Sequence, residues 1–304
     1  MVSADRTSEL PAGLAAGPEA ASPDAGSPDA GSPDAAGLAF VGEMYGVQLD
    51  QLAMALDIVP RRVATLAARW RTAGQAEIAR LSPGDRWVWL TKRGLADCGL
   101  RYAPVTPGLA RLAHLRAVTA VRLALAGTRQ YADAQAYWRS ERRLRARIGG
   151  RIGLREHVPD GELHWPDNSV VPWAGECWAI EAELTPKTLA RTTAVMREVL
   201  ARTGDYGCPA ADVRVPGQPA RHARAVYVCS AAALPVVARA RDALGSLGAR
   251  IEIRNLPPEA EFAPRQPPPR QPASRASPPP AGKVSPPTAS RASGRLYRPG
   301  ESAP

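Results

Sequence analysis

The chain has little cysteine, little histidine and no long apolar run, and each shortage closes off a class of protein. Its four cysteines, Cys98, Cys177, Cys208 and Cys229, are widely spaced, with no Cys-x-x-Cys pair and no matching histidine doublet. That pattern indicates neither a zinc site nor a disulfide framework. No apolar stretch approaches the ~20 residues of a membrane span, so no membrane partner is expected. A secretory signal needs a basic start and an apolar run, whereas residues 1–37 offer acids, prolines and alanines without one aromatic ring. A cytoplasmic location is the expectation.

Proline (31) and glycine (26) are plentiful and concentrate at the two ends of the 304 residues. Ser22-Pro23-Asp24-Ala25-Gly26 is repeated from Ser27 and again, as far as Ala36, from Ser32. Such a composition cannot bury enough apolar surface to fold. Residues 1–37 therefore read as a disordered leader, and residues 257–304 as an extended basic tail with weak attraction to phosphate. The formal charge of +10 is uneven: Leu38 to Arg155 holds 20 bases against 8 acids, and Glu156 to Leu256 holds 11 against 12. A front half this basic suits a polyanion. Arginines that merely solvate a surface are the alternative.

Residues 38–103 read as a first folded unit. From Val47, Leu49, Leu52, Ala53 and Leu56 recur at helical spacing. Asp57-Ile58-Val59 breaks the pattern, and Pro60 suits the first turn of a second helix because its missing N–H would be unpaired there. That helix should bury Val63, Leu66, Ala67 and Trp70, present Arg61, Arg62, Thr65, Arg69 and Arg71 elsewhere, and end at Gly74. Two short helices with bases on the second are what a helix-turn-helix needs to seat a recognition helix in the major groove. Ala76–Leu81 and Arg86–Leu90, around Ser82-Pro83-Gly84-Asp85, form a candidate hairpin, which would be the wing and would bring Arg86 to DNA. Thr91-Lys92-Arg93-Gly94-Leu95 closes the unit in the "T-x-x-G" manner of many winged helices. The same face could instead hold a protein.

Pro107–Ala126 has helical period and a broad apolar face, Leu109, Leu112, Ala113, Leu115, Val118, Val121, Leu123 and Leu125, so it should pack on the second unit, 104–256. His114 reads as a surface or satisfied core residue. Trp138 to Arg145 is a dense basic run, either a solvated helix face or a phosphate contact, with Glu141 an accessory carboxylate at most. Beyond Arg155 the expected order is strand (157–165), strand (177–184), helix (188–202), strand (224–229), helix (234–247), strand (249–254), a mixed sheet with helices on it.

Strand alternation points Glu181 and Glu183 one way and Trp178, Ile180, Ala182 and Leu184 the other. Two like charges on one face need a cation to offset them. With Asp160 they would make a three-carboxylate site for Mg²⁺, a hard ion that prefers oxygen and can activate water against a phosphodiester.

Pro159-Asp160 followed by Glu181-Ala182-Glu183 resembles the PD-(D/E)xK nuclease pattern, with Glu183 where that pattern has lysine. Lys187, four residues on at the start of a helix, could reach back to replace it; an exposed first-turn residue is the alternative. The winged helix, the long helix, Pro159-Asp160 and the run Glu181 to Lys187 are more closely similar to the replication-relaxation family of bacterial mobile elements, over roughly residues 41–256. The resemblance implies an α+β fold, a winged helix-turn-helix followed by a PD-(D/E)xK-like domain. It implies DNA binding in plasmid replication or relaxation, not cleavage by itself. The leading expectation is thus a DNA-binding accessory or regulatory protein, with double-stranded DNA and replication or transfer proteins as partners. A metal-dependent endonuclease with Asp160, Glu181, Glu183 and Lys187 as catalytic residues is the second reading, and a transcriptional regulator that dimerises through its back domain is the third.

Overall fold

The computed structural model describes residues 32–148, 157–202 and 220–260. The first two repeat copies and the tail from residue 261 lie outside the described residues, as does Cys208.

Local chemistry sets each element of the N-terminal layer. Ser32 caps α1 (Pro33–Glu43) by accepting a hydrogen bond from the Ala35 N–H, with Pro33 and Asp34 in the first turn. The third repeat copy is therefore the start of a helix, and residues 32–37, expected in the leader, belong to the folded unit. The helix expected from Val47 begins two residues later: Val47–Gln48 is a short strand, β1, and α2 spans Leu49–Leu56. Asp57 ends it in the left-handed conformation. Pro60 opens α3 (Pro60–Thr72), which buries Val63, Leu66, Ala67 and Trp70 as the spacing required. Then come β2 (Ala76–Ala79), β3 (Trp87–Leu90) and α4 (Lys92–Asp97). The three strands are antiparallel in the order β1-β3-β2.

The Thr91-to-Gly94 turn has a steric cause. Thr91 caps α4, accepting from the Gly94 N–H and donating to the Gly74 carbonyl. A β-carbon on Gly94 would stand 2.0 Å from the Gln75 carbonyl oxygen, so the chain closes only with glycine there.

A 3-10 turn at Leu109–Arg111 leads into α5 (Leu112–Ala126). Leu109 lies in that turn and is exposed, not on the apolar face expected of it. α5 is buried nearly all round. Ala117, Val118, Ala120, Val121 and Leu125 share one apolar core with Val41, Leu52 and Trp70 of the N-terminal layer and with Leu163, Trp178, Ile180 and Val226 of the large sheet. The helix thus serves both layers rather than the second alone.

After α6 (Arg129–Asp133) the sheet opens with an element that the spacing does not announce, β4 (Tyr137–Ser140), where a basic helix face was one expectation. The helix α7 (Glu141–Ile148) follows only afterwards. The remaining elements are β5 (Gly161–His164), β6 (Cys177–Glu183), α8 (Leu189–Ala201), β7 (Arg224–Cys229), α9 (Leu234–Asp242) and β8 (Ile251–Asn255). The strand expected over 157–165 is shorter by its first four residues and its last. The sheet is mixed, in the order β4-β5-β6-β7-β8: antiparallel as far as β6, parallel beyond. The fold is α+β, and among the described residues no helix is long and apolar enough to cross a membrane.

Gly94→Ala should lower stability by about 1–3 kcal/mol, the usual cost of forcing atoms into a filled space. Thermal unfolding measures it, and an unchanged melting temperature would mean that the close approach to Gln75 does not exist.

Candidate functional site

The packing of α3 decides which of its arginines meet solvent. With Val63, Leu66, Ala67 and Trp70 turned inward, Arg61, Arg62, Thr65 and Arg69 share the exposed side and Arg71 flanks it. The Thr65 hydroxyl donates to the Arg61 carbonyl at 3.1 Å. Arg61, Arg62, Arg71 and the exposed Arg86 make no ion pair among the described residues. Arg69 does: its guanidinium meets Asp34 of α1, whose other oxygen accepts from Trp70 Nε1 at 2.9 Å. Beside α3, the β2–β3 turn is held by Gln48 Nε2, which donates to the Pro83 and Asp85 carbonyls, and by Trp87 Nε1, which donates to Ser82.

Part of the basic run 138–145 is otherwise employed. Arg142 is buried, donates to the Gly42 and Ala103 carbonyls at 2.7 and 2.6 Å, and lies over the rings of Tyr45 and Tyr102. Glu141 pairs with Arg111 and Arg145. Neither arrangement leaves Arg142 or Glu141 available to a ligand.

At one end of β5 and β6 the four acid-site residues do come together. Glu181 and Glu183 project from the same side of β6, as alternation required, and are buried. Gly161 faces Ile180 in the register, so Asp160 comes level with Glu181. Each carboxylate nonetheless has its own cationic or donor partner. Asp160 Oδ1 meets His114 Nε2 of α5 at 2.8 Å, and its Oδ2 accepts from the Ala182 N–H at 2.8 Å. Glu181 meets His157 Nε2, and Glu183 meets Lys187 Nζ, both at 2.5 Å. Lys187 thus reaches back across four residues to Glu183. The two histidines were the partners that spacing could not reveal, because one comes from α5 and the other from the segment before β5.

Burial raises the Glu181 carboxyl to about 7; His157 opposes that rise, while Asp160 and Glu183 add to it. Burial works against the charged forms of His157 and Asp160 as well. The partners prevail, raising His157 through Glu181 and lowering Asp160 through His114 and the Ala182 N–H. Tyr227 of β7, opposite Glu181, is wholly buried, and its hydroxyl has no hydrogen-bond partner among the described residues.

The donor set suits a hard cation in kind but not in placement. The three carboxylates point to three bases, and as they stand they offer Mg²⁺ no three convergent oxygens. Among the described residues, the one set of three metal-ligating side chains whose donor atoms all lie within 4.8 Å of one another is Glu162, His164 and Cys177. No family model, no curated protein and no solved structure matches the chain.

The folded state holds protons at Glu181 and His157 that the unfolded chain releases at lower pH, so this pair's contribution to stability falls as pH rises from 4.5 through about 7. Denaturant midpoints of the wild type should decline between about pH 5 and about pH 7.5, and Glu181→Gln should make the decline shallower. An unaltered slope in the variant would refute the raised Glu181 carboxyl.

Proposed function

We propose that the protein binds double-stranded DNA through a winged helix-turn-helix formed by its N-terminal layer, as a cytoplasmic accessory or regulatory protein of a bacterial mobile element. The observation that carries this reading is the exposed basic side of α3, opposite its packing side and flanked by the β2–β3 hairpin. The order α1-β1-α2-α3-β2-β3, with β3 central, supplies the three helices and the wing that such a domain uses. Arg61 and Arg62 stand at the N-terminal end of α3, where a recognition helix meets base edges and phosphates. Arg86, exposed just before β3, adds a base to the hairpin. The Arg69–Asp34 pair is exposed and worth no more than ~1 kcal/mol, so a phosphate can displace Asp34. The mobile-element assignment rests on the similarity of the order of elements, winged helix then long helix, with the Pro159-Asp160 and Glu181-to-Lys187 runs, to the replication-relaxation family.

The test is duplex binding by fluorescence anisotropy across a salt series. Arg61→Ala with Arg62→Ala should weaken binding and reduce the slope of log affinity against log salt by roughly one unit for each phosphate no longer neutralised. Unchanged affinity and slope would remove α3 from the interface.

The gathering of Asp160, Glu181, Glu183 and Lys187 at one strand end favours one second reading, an endonuclease that the N-terminal layer delivers to its target. It requires the carboxylates to leave His114 and His157. Supercoiled plasmid nicked in Mg²⁺ or Mn²⁺ by the wild type, and not by Asp160→Ala with Glu181→Ala, would establish it. No nicking with either metal while duplex binding persists would leave these acids a structural role.

A further inference from the structure

We propose that Glu162, His164 and Cys177 form a binding site for a divalent cation of the zinc class, at the opposite end of β5 and β6 from the carboxylates described above. Alternation puts Glu162 and His164 on the same side of β5, and the register sets Cys177 directly across from His164. The ligands are therefore gathered across two strands joined by a 12-residue loop. Cys-x-x-Cys and His-doublet spacings cannot report such an arrangement.

The convergence is on one atom. Glu162 Oε2 and Cys177 Sγ approach the same ring nitrogen, His164 Nε2, at 2.9 and 3.5 Å. This rules out a nucleophile triad, in which thiol and carboxylate would take opposite nitrogens of the ring. A single nitrogen carries either one proton or one lone pair and cannot serve both neighbours fully. A cation at the focus bonds all three, at ~2.0–2.1 Å to nitrogen, ~2.3 Å to sulfur and ~2.0–2.2 Å to oxygen. Those lengths hold tetrahedral ligands roughly 3–4 Å apart, which the present separations reach with small movements.

The surroundings orient the ligands as outer-shell groups do. Arg221 donates to both Glu162 oxygens at 2.7 and 2.8 Å, and His222 Nε2 meets Oε1 at 2.9 Å. The Tyr137 ring stacks on His164 at 4.8 Å and 7°. Burial lowers the His164 pKa, as do Arg139 and Arg221, against the pull of Glu162.

Arg221 and Arg139, the latter 4.0 Å from Oε2, repel an added cation, so the site works only with Cys177 as thiolate. Binding requires the Cys177 thiol to release its proton to solvent and the His164 ring to carry its proton on Nδ1, leaving the Nε2 lone pair for the metal. Nitrogen, sulfur and oxygen donors together select Zn²⁺ or Co²⁺ over Mg²⁺. His164 and Cys177 are partly exposed, and three protein ligands leave a fourth position to water.

The experiment uses the full chain, stripped with a chelator and titrated with Co²⁺ alone. One equivalent should produce a thiolate-to-cobalt charge-transfer band, which Zn²⁺ abolishes by displacement. Cys177→Ser and His164→Gln, each compared with the wild type for metal-free melting, should lose the band and bind Co²⁺ at least about tenfold more weakly. Cys229→Ser should keep it. In the wild type, Zn²⁺ should slow alkylation of Cys177, followed by peptide mass spectrometry. No band, a band that survives Cys177→Ser, or alkylation of Cys177 indifferent to Zn²⁺ would each overturn the proposal. None of these readouts depends on DNA binding.

Discussion

The architecture depends on α5 being held between two layers, and on the buried arginines that bind those layers together. Arg116 of α5 is 5% exposed, pairs with Asp50 at 2.9 Å and also meets Gln48, while Gln51 Nε2 donates to its carbonyl. Arg142 makes the second link, to the carbonyls of Gly42 in α1 and of Ala103 beyond α4. Taking a guanidinium out of water costs several kcal/mol unless its donors are met. Once they are met, removing a partner costs ~3–5 kcal/mol, so these interactions specify one relative placement of the layers. Apolar packing along α5 supplies the attraction and the arginines supply the register.

That division of labour changes what the strong positive charge means. The excess of bases between Leu38 and Arg155 is partly internal. Arg116 and Arg142 are buried, and Arg122 is packed over the Phe40 ring, where burial lowers its pKa. Of the exposed bases in that stretch, Arg61, Arg62, Arg69, Arg71, Arg80 and Arg86 lie on α3 and the hairpin, while Lys92, Arg93, Arg101, Arg111, Arg129, Arg145 and Arg147 lie elsewhere. The proposed polyanion surface is therefore smaller than the total charge implied.

The same distinction between charge and partner runs through the large sheet. Asp160, Glu181 and Glu183 are compensated one by one, by His114, His157 and Lys187. Glu162 instead is surrounded by Arg221, His222 and His164, and is held well below the usual carboxylate range against the penalty of burial. Two ends of one strand pair thus handle buried acid differently. One pairs each carboxylate with a single base, and the other draws several donors around one carboxylate beside a thiol.

Periodicity made much of this legible. The stripe Val63, Leu66, Ala67, Trp70 located α3, alternation set Glu181 and Glu183 together, and the strand expected over 224–229 is β7. What failed were elements whose signals were too short or mixed. β1 is two residues long and makes sense only beside β3. The first turn of α1 is written in a repeat whose composition alone argues against folding. β4 ends in an Arg-Ser step that continues into a basic helix. The composition and spacing of the chain determined the α+β class and the two faces of α3 and β6, because side-chain direction follows from backbone period alone. Only the tertiary structure decided which arginine is solvated, which histidine meets which acid, and that Cys177 lies across from His164, because each is a meeting of segments whose separation along the chain carries no record of their distance in space.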